Sequence, residues 1–315
     1  MGNIEGLHHV TAMAGPTQRN VDFYAGILGL RLVKQTVNFD APEVYHLYYG
    51  DQLGAPGTIM TFFPFRNMRP GRHGKGQTAT TAFSIPEKAL DYWLQRFEKY
   101  SVPHKHPQQR FDEAFVYFED PDGLGLELVT SGSDTRPGFS YGPIPLEHAI
   151  RGFYSVELWE QSYERTEAML TQHLGYQFVK EEGVRRRYQV TGQPQQFVDI
   201  IWDAGHPWAS GGTGTVHHVA FATPTENSQL NIRENLLSAG WEPTPVLDRN
   251  YFKSIYFREP GGVLFEVATD PPGFTADEAP DQLGKELKLP DWYEPHRASI
   301  EKGLDKIILQ PDLYV

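Results

Sequence analysis

The sequence predicts an α+β protein of four βαβββ modules, paired into two open barrel-like sheets. Three observations carry this. Apolar stretches recur four times in the order strand, helix and about three more strands. The segments "YFEDPDGLGLELVT" and "YFREPGGVLFEVAT" are versions of one strand-turn-strand unit, which puts Glu127 and Glu266 at equivalent points in the second and fourth modules. The doublets of "LHHVTA" and "VHHVAFA" stand at equivalent points in the first strands of the first and fourth. A repeated unit that cannot bury its own sheet face must pair with another.

In order along the chain, the first module reads "GLHHVTAM", a helix "TQRNVDFYAGIL", then "LRLVKQTVNF", "YHLYYGD" and "GTIMTFFPF". The second has "GQTATTAFSIP", the helix "EKALDYWLQRFEKY" and the paired strands of "AFVYFEDPDGLGLELVTS". The third runs "RGFYSVELWE", the helix "SYERTEAMLTQHLG", "YQFVKEE", "VRRRYQVTG" and "QFVDIIWD". The fourth runs "GTVHHVAFATP", the helix "NSQLNIRENLLSAG", "WEPTPVLDRNYF", "KSIYFREP" and "GGVLFEVATD". Each helix carries spaced apolar residues and ends near Gly or a short polar break, as helix stops do. The stretch from Ser131 to Ala149 is rich in Gly, Pro and Ser and marks the mid-chain boundary. Residues 1–140 therefore hold one pair of modules, 141–272 the other, and 273–315 a tail expected to pack on the body.

The 315 residues are 39% apolar and 22% charged, a globular balance, with a formal net charge of -12. Such a charge repels phosphate backbones and anionic membrane surfaces, so nucleic acid and membrane are poor partners. No run approaches the roughly 20 apolar residues of a membrane span, and the start shows no signal-peptide pattern, so a cytoplasmic location is expected. The absence of cysteine leaves histidine, carboxylate and water as metal ligands.

Strand alternation then selects among the histidines, because successive side chains point to opposite faces. In "VHHVAFA", His217, Val219 and Phe221 form a bulky face suited to lie under a helix, and His218, Ala220 and Ala222 a small one with room beside it. In "VLFEVA", Glu266 and Ala268 share a face with Leu264, opposite the bulky Val263, Phe265 and Val267. In the first module His9 lies with Leu7 and Thr11. Two imidazoles and a carboxylate on rigid strands, His9, His218 and Glu266, form the facial triad associated with non-haem Fe(II). Aligning "APGTIMTF" with "EPGGVLFE" puts Phe62 at the Glu266 position, and "QPQQFVDI" puts Ile200 there. Thr80 or Thr81, and Tyr154 or Ser155, replace the histidine in the second and third modules. Modules 1 and 4 alone supply two histidines and a glutamate, so they are expected to share the metal cavity. Glu127 is left as a relic or structural polar residue.

With "YHLYYGD", "PIPLEHAIRGFYS", "DRNYFKSIYFREPGGVLFE" and "GFTADE" added to the doublets, the chain resembles, nearly end to end, the vicinal oxygen chelate superfamily. Within it, these motifs together resemble the hydroquinone ring-cleaving dioxygenases, such as those acting on 2,6-dichlorohydroquinone. The resemblance implies a small aromatic substrate and O2 as partners, Fe(II) as cofactor (Mn(II) in some relatives), and ring opening next to a hydroxyl. It carries the metal positions onto His9, His218 and Glu266, and the substrate pocket onto Arg249 and Tyr256, with Thr11, His8 and His217 nearby. Tyr256 then hydrogen-bonds a substrate oxygen, Arg249 stabilises developing negative charge, and His8 or His217 shuttles a proton. Strict alternation aims those last two away from the metal, so only a strand twist or bulge brings them in. The competing functions are a glyoxalase-like isomerase or thiol transferase, a catechol extradiol dioxygenase, and a metal-free sequestering protein. A homo-oligomer is compatible with all of them.

Three further motifs read as structural. "HKH", His104 to His106, lies between prolines and reads as loop; "FRNMRPGRHGKG" reads as a solvated connector; and Arg185 to Arg187 alternate across a strand expected to be an exposed edge.

Overall fold

The computed structural model describes residues 4–139, 142–192, 195–310 and 314, and all four modules are present. The expected division between 140 and 141 lies outside the described residues. Module 1 comprises β1 (Leu7–Ala14), α1 (Thr17–Val21) continued by a wider turn over Asp22–Ile27, β2 (Arg31–Asn38), β3 (Ala41–Gly50) and β4 (Ile59–Pro64). Module 2 comprises β5 (Gln77–Ile85), α2 (Leu90–Lys99), β6 (Gln108–Arg110), β7 (Glu113–Glu119) and β8 (Gly125–Thr130). Module 3 comprises β9 (Gly152–Glu160), α3 (Glu164–Ala168) continued by a wider turn over Met169–His173, β10 (Tyr176–Glu182), β11 (Arg185–Val190) and β12 (Phe197–Trp202). Module 4 comprises β13 (Thr215–Thr223), α4 (Glu226–Ser238), β14 (Leu247–Asp248), β15 (Lys253–Arg258) and β16 (Leu264–Thr269). No helix among the described residues is long and apolar enough to cross a membrane.

Local chemistry delimits these elements. Thr225 accepts from the Ser228 amide while the Ser228 hydroxyl bonds back to the Thr225 backbone, a capping box that starts α4. The helix stops where Gly240 adopts φ 84°, and the amides of Gly240 and Trp241 then close on the carbonyls of Leu237 and Leu236.

The strands form two curled eight-stranded sheets, ordered β14-β15-β16-β13-β1-β4-β3-β2 and β10-β11-β12-β9-β5-β8-β7-β6. Modules 1 and 4 thus build one sheet and modules 2 and 3 the other, joined in each case by antiparallel pairing of first strands, β1 with β13 and β5 with β9. The largest apolar core takes residues from both; Val10, Phe62, Phe83, Trp93, Val156 and Phe221 all belong to it. The opposite face of the first sheet carries His9, Thr11, Thr61, His218 and Glu266 beside a second apolar cluster that includes Val33, Tyr48, Ile59 and Phe252.

Residues of the tail make contacts with the first sheet. Lys34 of β2, wholly buried, meets Asp277 and Glu278. Phe274 stacks near Tyr48 and Tyr251, and Ile300 of α5 (Arg297–Gly303) joins Val37 and Leu289. His104 pairs with Phe118 through one isolated bridge, its Nδ1 bonded to the Val102 carbonyl, in keeping with a loop histidine.

The arginine run departs from expectation. β11 is an interior strand between β10 and β12, and Arg187 is fully buried against Asp199 and Glu113. Arg185 bonds Glu157 and Asp199, while Arg110 pairs with Glu127 and Glu157. Alternation alone does not separate an exposed edge from an interior strand whose charges are neutralised by distant carboxylates. The connector also differs in part: Lys75 is buried and bonds Gln161, so that end is anchored rather than solvated.

Candidate metal centre

Three strands bring the triad together. His9 on β1 lies opposite Ala220 on β13, and Ala220 pairs with Glu266 on β16, so His9 and Glu266 stand in one row across the sheet. His218 sits two residues from Ala220, on the same face and opposite Thr11. The Nε2 atoms of His9 and His218 are 3.2 Å apart, and Glu266 Oε2 lies 3.2 Å from the first and 2.9 Å from the second. All three residues are buried, and among the described residues they are the one cluster of His, Cys, Asp and Glu whose donor atoms converge for a metal.

These donors fit a divalent cation. Glu266 Oε2 is buried with no hydrogen-bond donor of its own, while Oε1 accepts from the Ser254 hydroxyl. Burial alone would raise the Glu266 carboxyl, but the facing imidazoles of His9 and His218 hold it well below the usual range. His218, in turn, is pushed down by burial, with Glu266 opposing. An ionised carboxylate between two ring nitrogens, away from water, is a site a positive ion completes.

The first histidine of each doublet has a distinct place. Between Leu7 and His9 the register gains one residue on β1, and between Val216 and His218 it gains one on β13; His8 and His217 are the extra residues of these two bulges. A bulge re-aims a side chain. His8 Nδ1 thereby lies 2.9 Å from His9 Nδ1, and His217 Nδ1 lies 2.7 Å from His218 Nδ1. Burial pushes His8 down to about 3 and His217 down to about 4, so both are neutral near pH 7 and able to accept a hydrogen bond from the neighbouring ring. Each outer histidine thus orients the inner one, leaving its Nε2 lone pair aimed at the centre.

The position opposite Glu266 needs a correction. Thr61 pairs with Thr11 as Glu266 pairs with Ala220, and Thr11 and Ala220 each lie two residues beyond a triad histidine. Thr61, not Phe62, is therefore the counterpart of Glu266; the module-4 turn is one residue longer than the alignment allowed. Phe62 points into the core against Tyr24. By the same register Asp199, not Ile200, is the counterpart in module 3, and Thr80 and Ser155 are those of His218 and His9. The Thr61 hydroxyl is bonded to Thr11 Oγ1 and to His46 Nε2, each at 2.8 Å. No carboxylate or imidazole of β4 completes a fourth corner, so the triad is open on that side.

A cavity of about 460 Å³ lies over the open side, its wall including His9, His218, His217, Arg249 and Tyr256. Arg249 Nε donates to the Tyr256 hydroxyl at 3.2 Å, and the Tyr256 ring stands edge-on to His218. Burial, then the Glu266 charge, keeps the Tyr256 phenol above its ordinary range. Its oxygen accepts from Arg249, Ser254 lies within hydrogen-bonding reach, and the side chain lines the cavity. Thr11 lies fully buried beneath the wall, reaching it through Thr61. His46 and Tyr48 of β3 also line the cavity and were not singled out from the sequence. Alternation in "YHLYYG" could have found them, since Tyr45, Leu47 and Tyr49 take the core face and leave His46 and Tyr48 on the other.

The sequence profile of the Glyoxalase/Bleomycin resistance protein/Dioxygenase superfamily matches residues 6–128 and again 152–267. The chain is 45% identical over 301 residues to MhqO of Bacillus subtilis (strain 168), named as a ring-cleaving dioxygenase, with 95% of each chain covered. It is 37% identical over 300 residues to a chlorohydroquinone/hydroquinone 1,2-dioxygenase of Sphingobium indicum, with 91% of each covered. A crystal structure of a Bacillus subtilis protein designated a dioxygenase superposes with a TM-score of 0.95 at 43% identity, covering 98% of this chain and 99% of that one. Glyoxalase I of Zea mays shares the fold, with a TM-score of 0.62 at 15% identity over 84% of this chain and 92% of that one.

Proposed function

Because the chain belongs to the Glyoxalase/Bleomycin resistance protein/Dioxygenase superfamily, we propose that it is an Fe(II)-dependent ring-cleaving dioxygenase. In this reading it inserts both atoms of O2 into hydroquinone or a substituted hydroquinone, opening the ring next to a hydroxyl. The observation that carries the reading is a buried His-His-Glu triad, open on one side to a cavity of aromatic and polar groups. The relatives named as ring-cleaving dioxygenases support the dioxygenase reaction, and the chlorohydroquinone/hydroquinone enzyme supports the substrate class.

His9, His218 and Glu266 would hold the metal, with Mn(II) the other ion the donor set accepts. When bound, such an ion serves as Lewis acid and template, bringing ring and O2 together at its open positions. The protein groups do the rest. His8 and His217 fix the ligand imidazoles through their Nδ1 atoms. His217, on the cavity wall, is also placed to pass a proton to or from the ring. Tyr256 points its hydroxyl proton toward a substrate oxygen beside Glu266, and Arg249 secures that hydroxyl while adding positive charge where the ring becomes more anionic. Thr11 steadies the opposite wall through Thr61, which holds His46. Phe63 and Phe252 supply apolar surface for a flat ring.

The test is anaerobic loading with Fe(II), followed by oxygen uptake with hydroquinone, methylhydroquinone and catechol in parallel. Stoichiometric uptake with the two hydroquinones supports the reading. No uptake with any of the three, together with turnover of the methylglyoxal hemithioacetal, would replace it with a glyoxalase-type isomerase.

A further inference from the structure

The first sheet has an approximate two-fold axis between β1 and β13, and the axis gives Tyr256 a counterpart. Tyr256 on β15 pairs with Glu266 on β16; Tyr48 on β3 pairs with Thr61 on β4; and Thr61 is the counterpart of Glu266. Two tyrosines therefore face the same cavity from opposite walls, one beside the carboxylate and one beside the open side of the triad. Tyr48 is also held as a functional group is held. Its ring packs against Phe274 at 5.0 Å and against Tyr251 and Phe252 at 6.4 Å, and its hydroxyl lies 2.8 Å from His46 Nδ1. His46 is clamped between the Tyr48 ring at 4.0 Å and Phe63 at 4.3 Å, with its Nε2 bonded to Thr61. Both nitrogens of His46 are thus committed to protein partners. The Tyr48 hydroxyl, with one bond made, keeps capacity for a second, and its side chain lines the cavity.

Resting on the dioxygenase reading, we propose that Tyr48 binds the second hydroxyl of the ring, the one not at the triad, and that His46 is the positioning residue that holds Tyr48 there. The geometry suits a 1,4-dihydroxy ring. Such a ring carries its hydroxyls at opposite ends and cannot present both to one metal, whereas a 1,2-dihydroxy ring can and gains nothing from a second tyrosine on the wall across from Tyr256. Tyr48 then acts on substrate choice rather than on metal retention.

The experiment measures anaerobic binding to the iron-loaded protein by calorimetry, with hydroquinone and with 4-methylphenol, which keeps one hydroxyl and replaces the other by a methyl group. Tyr48→Phe is expected to weaken hydroquinone by about 3- to 10-fold, the range for one lost neutral hydrogen bond, to leave 4-methylphenol within about 2-fold, and to retain full iron. His46→Ala should reproduce the Tyr48→Phe pattern, and the double variant should be no worse than either single one, because both act through the same hydroxyl. In turnover the loss should appear in KM with kcat largely kept. Equal weakening of both probes, or of neither, by Tyr48→Phe would overturn the assignment, and additive losses in the double variant would overturn the role given to His46. If the unmodified protein binds neither probe, the dioxygenase reading itself falls, a result seen before any variant is made.

Discussion

His8 and His217 explain why each doublet is a doublet. A lone histidine on β1 or β13 would present its imidazole with the outer nitrogen unfixed; the bulge residue beside it supplies a neutral acceptor at hydrogen-bond distance. Substituting either by alanine removes that partner and leaves the ligand in place, so metal affinity should fall roughly 10- to 100-fold, as it does when such orienting groups are lost. His218→Ala, by contrast, should abolish stoichiometric iron binding. Metal competition with a chelator of known affinity measures both, and unchanged affinity in His8→Ala would show that its contact with His9 orients nothing. The triad was legible in the sequence because it rests on period-two alternation and on a repeat, both local. The role of His8 and His217 was not, because a bulge is a difference of count between two strands over two hundred residues apart in sequence, and neither strand alone records it. His46 escaped for another reason: its strand alternates, with Tyr45, Leu47 and Tyr49 on the core face, but no repeated motif in another module marks the opposite face as part of a site.

At the scale of elements, the regular strands and helices follow the predicted order closely, since each carries its own pattern. What the sequence reading missed is β6, too short to hold a pattern, and the interior place of β11, whose burial depends on distant partners for its arginines. Lys34 on β2 belongs to the same group. It is a charge in an otherwise apolar strand, and it is buried because the tail returns Asp277 and Glu278 to it. The tail residue Phe274, only a few positions earlier, packs on Tyr48 and Tyr251 behind the cavity. Lys34→Met should therefore cost about 3–5 kcal/mol, because Glu278 would remain buried without its cation. The midpoint of urea unfolding reports that loss, and a protease cut within 273–315 under native conditions should become faster. An unchanged midpoint would mean that the tail is held by apolar packing alone.

At the scale of the molecule, the two sheets share one architecture and use it differently. Where the first sheet has His9, His218, Glu266 and an open side, the second has Ser155, Thr80 and Glu127, and its concave face is filled by Arg110, Arg185 and Arg187 among four carboxylates. Burial, then Glu157, pushes Glu127 up to about 7 despite Arg110. At the seam between the sheets the balance is less favourable. Glu160, at the end of β9, faces Glu259, which caps the turn after β15 and accepts from the Val263 amide and from Thr166 of α3. No cation among the described residues joins this pair, and burial followed by the Glu259 charge pushes Glu160 up to about 9. A carboxyl that keeps its proton longer in the folded than in the unfolded chain stabilises the fold fully below its unfolded value, 4.5, and loses that contribution as pH rises through the folded value. Stability is therefore expected to decline as pH rises from about 4.5 toward 9, the loss from Glu127 ending near 7 and that from Glu160 near 9. Glu160→Gln keeps the shape, donates a hydrogen bond to Glu259 and cannot ionise. It should raise stability at pH 9 on the order of 1–3 kcal/mol, the cost of a buried polar group left unmatched, while changing little at pH 5. Urea unfolding of both proteins at pH 5, 7 and 9 decides the point: parallel profiles would show that the alkaline decline arises elsewhere, and a flattened one would place it at the seam.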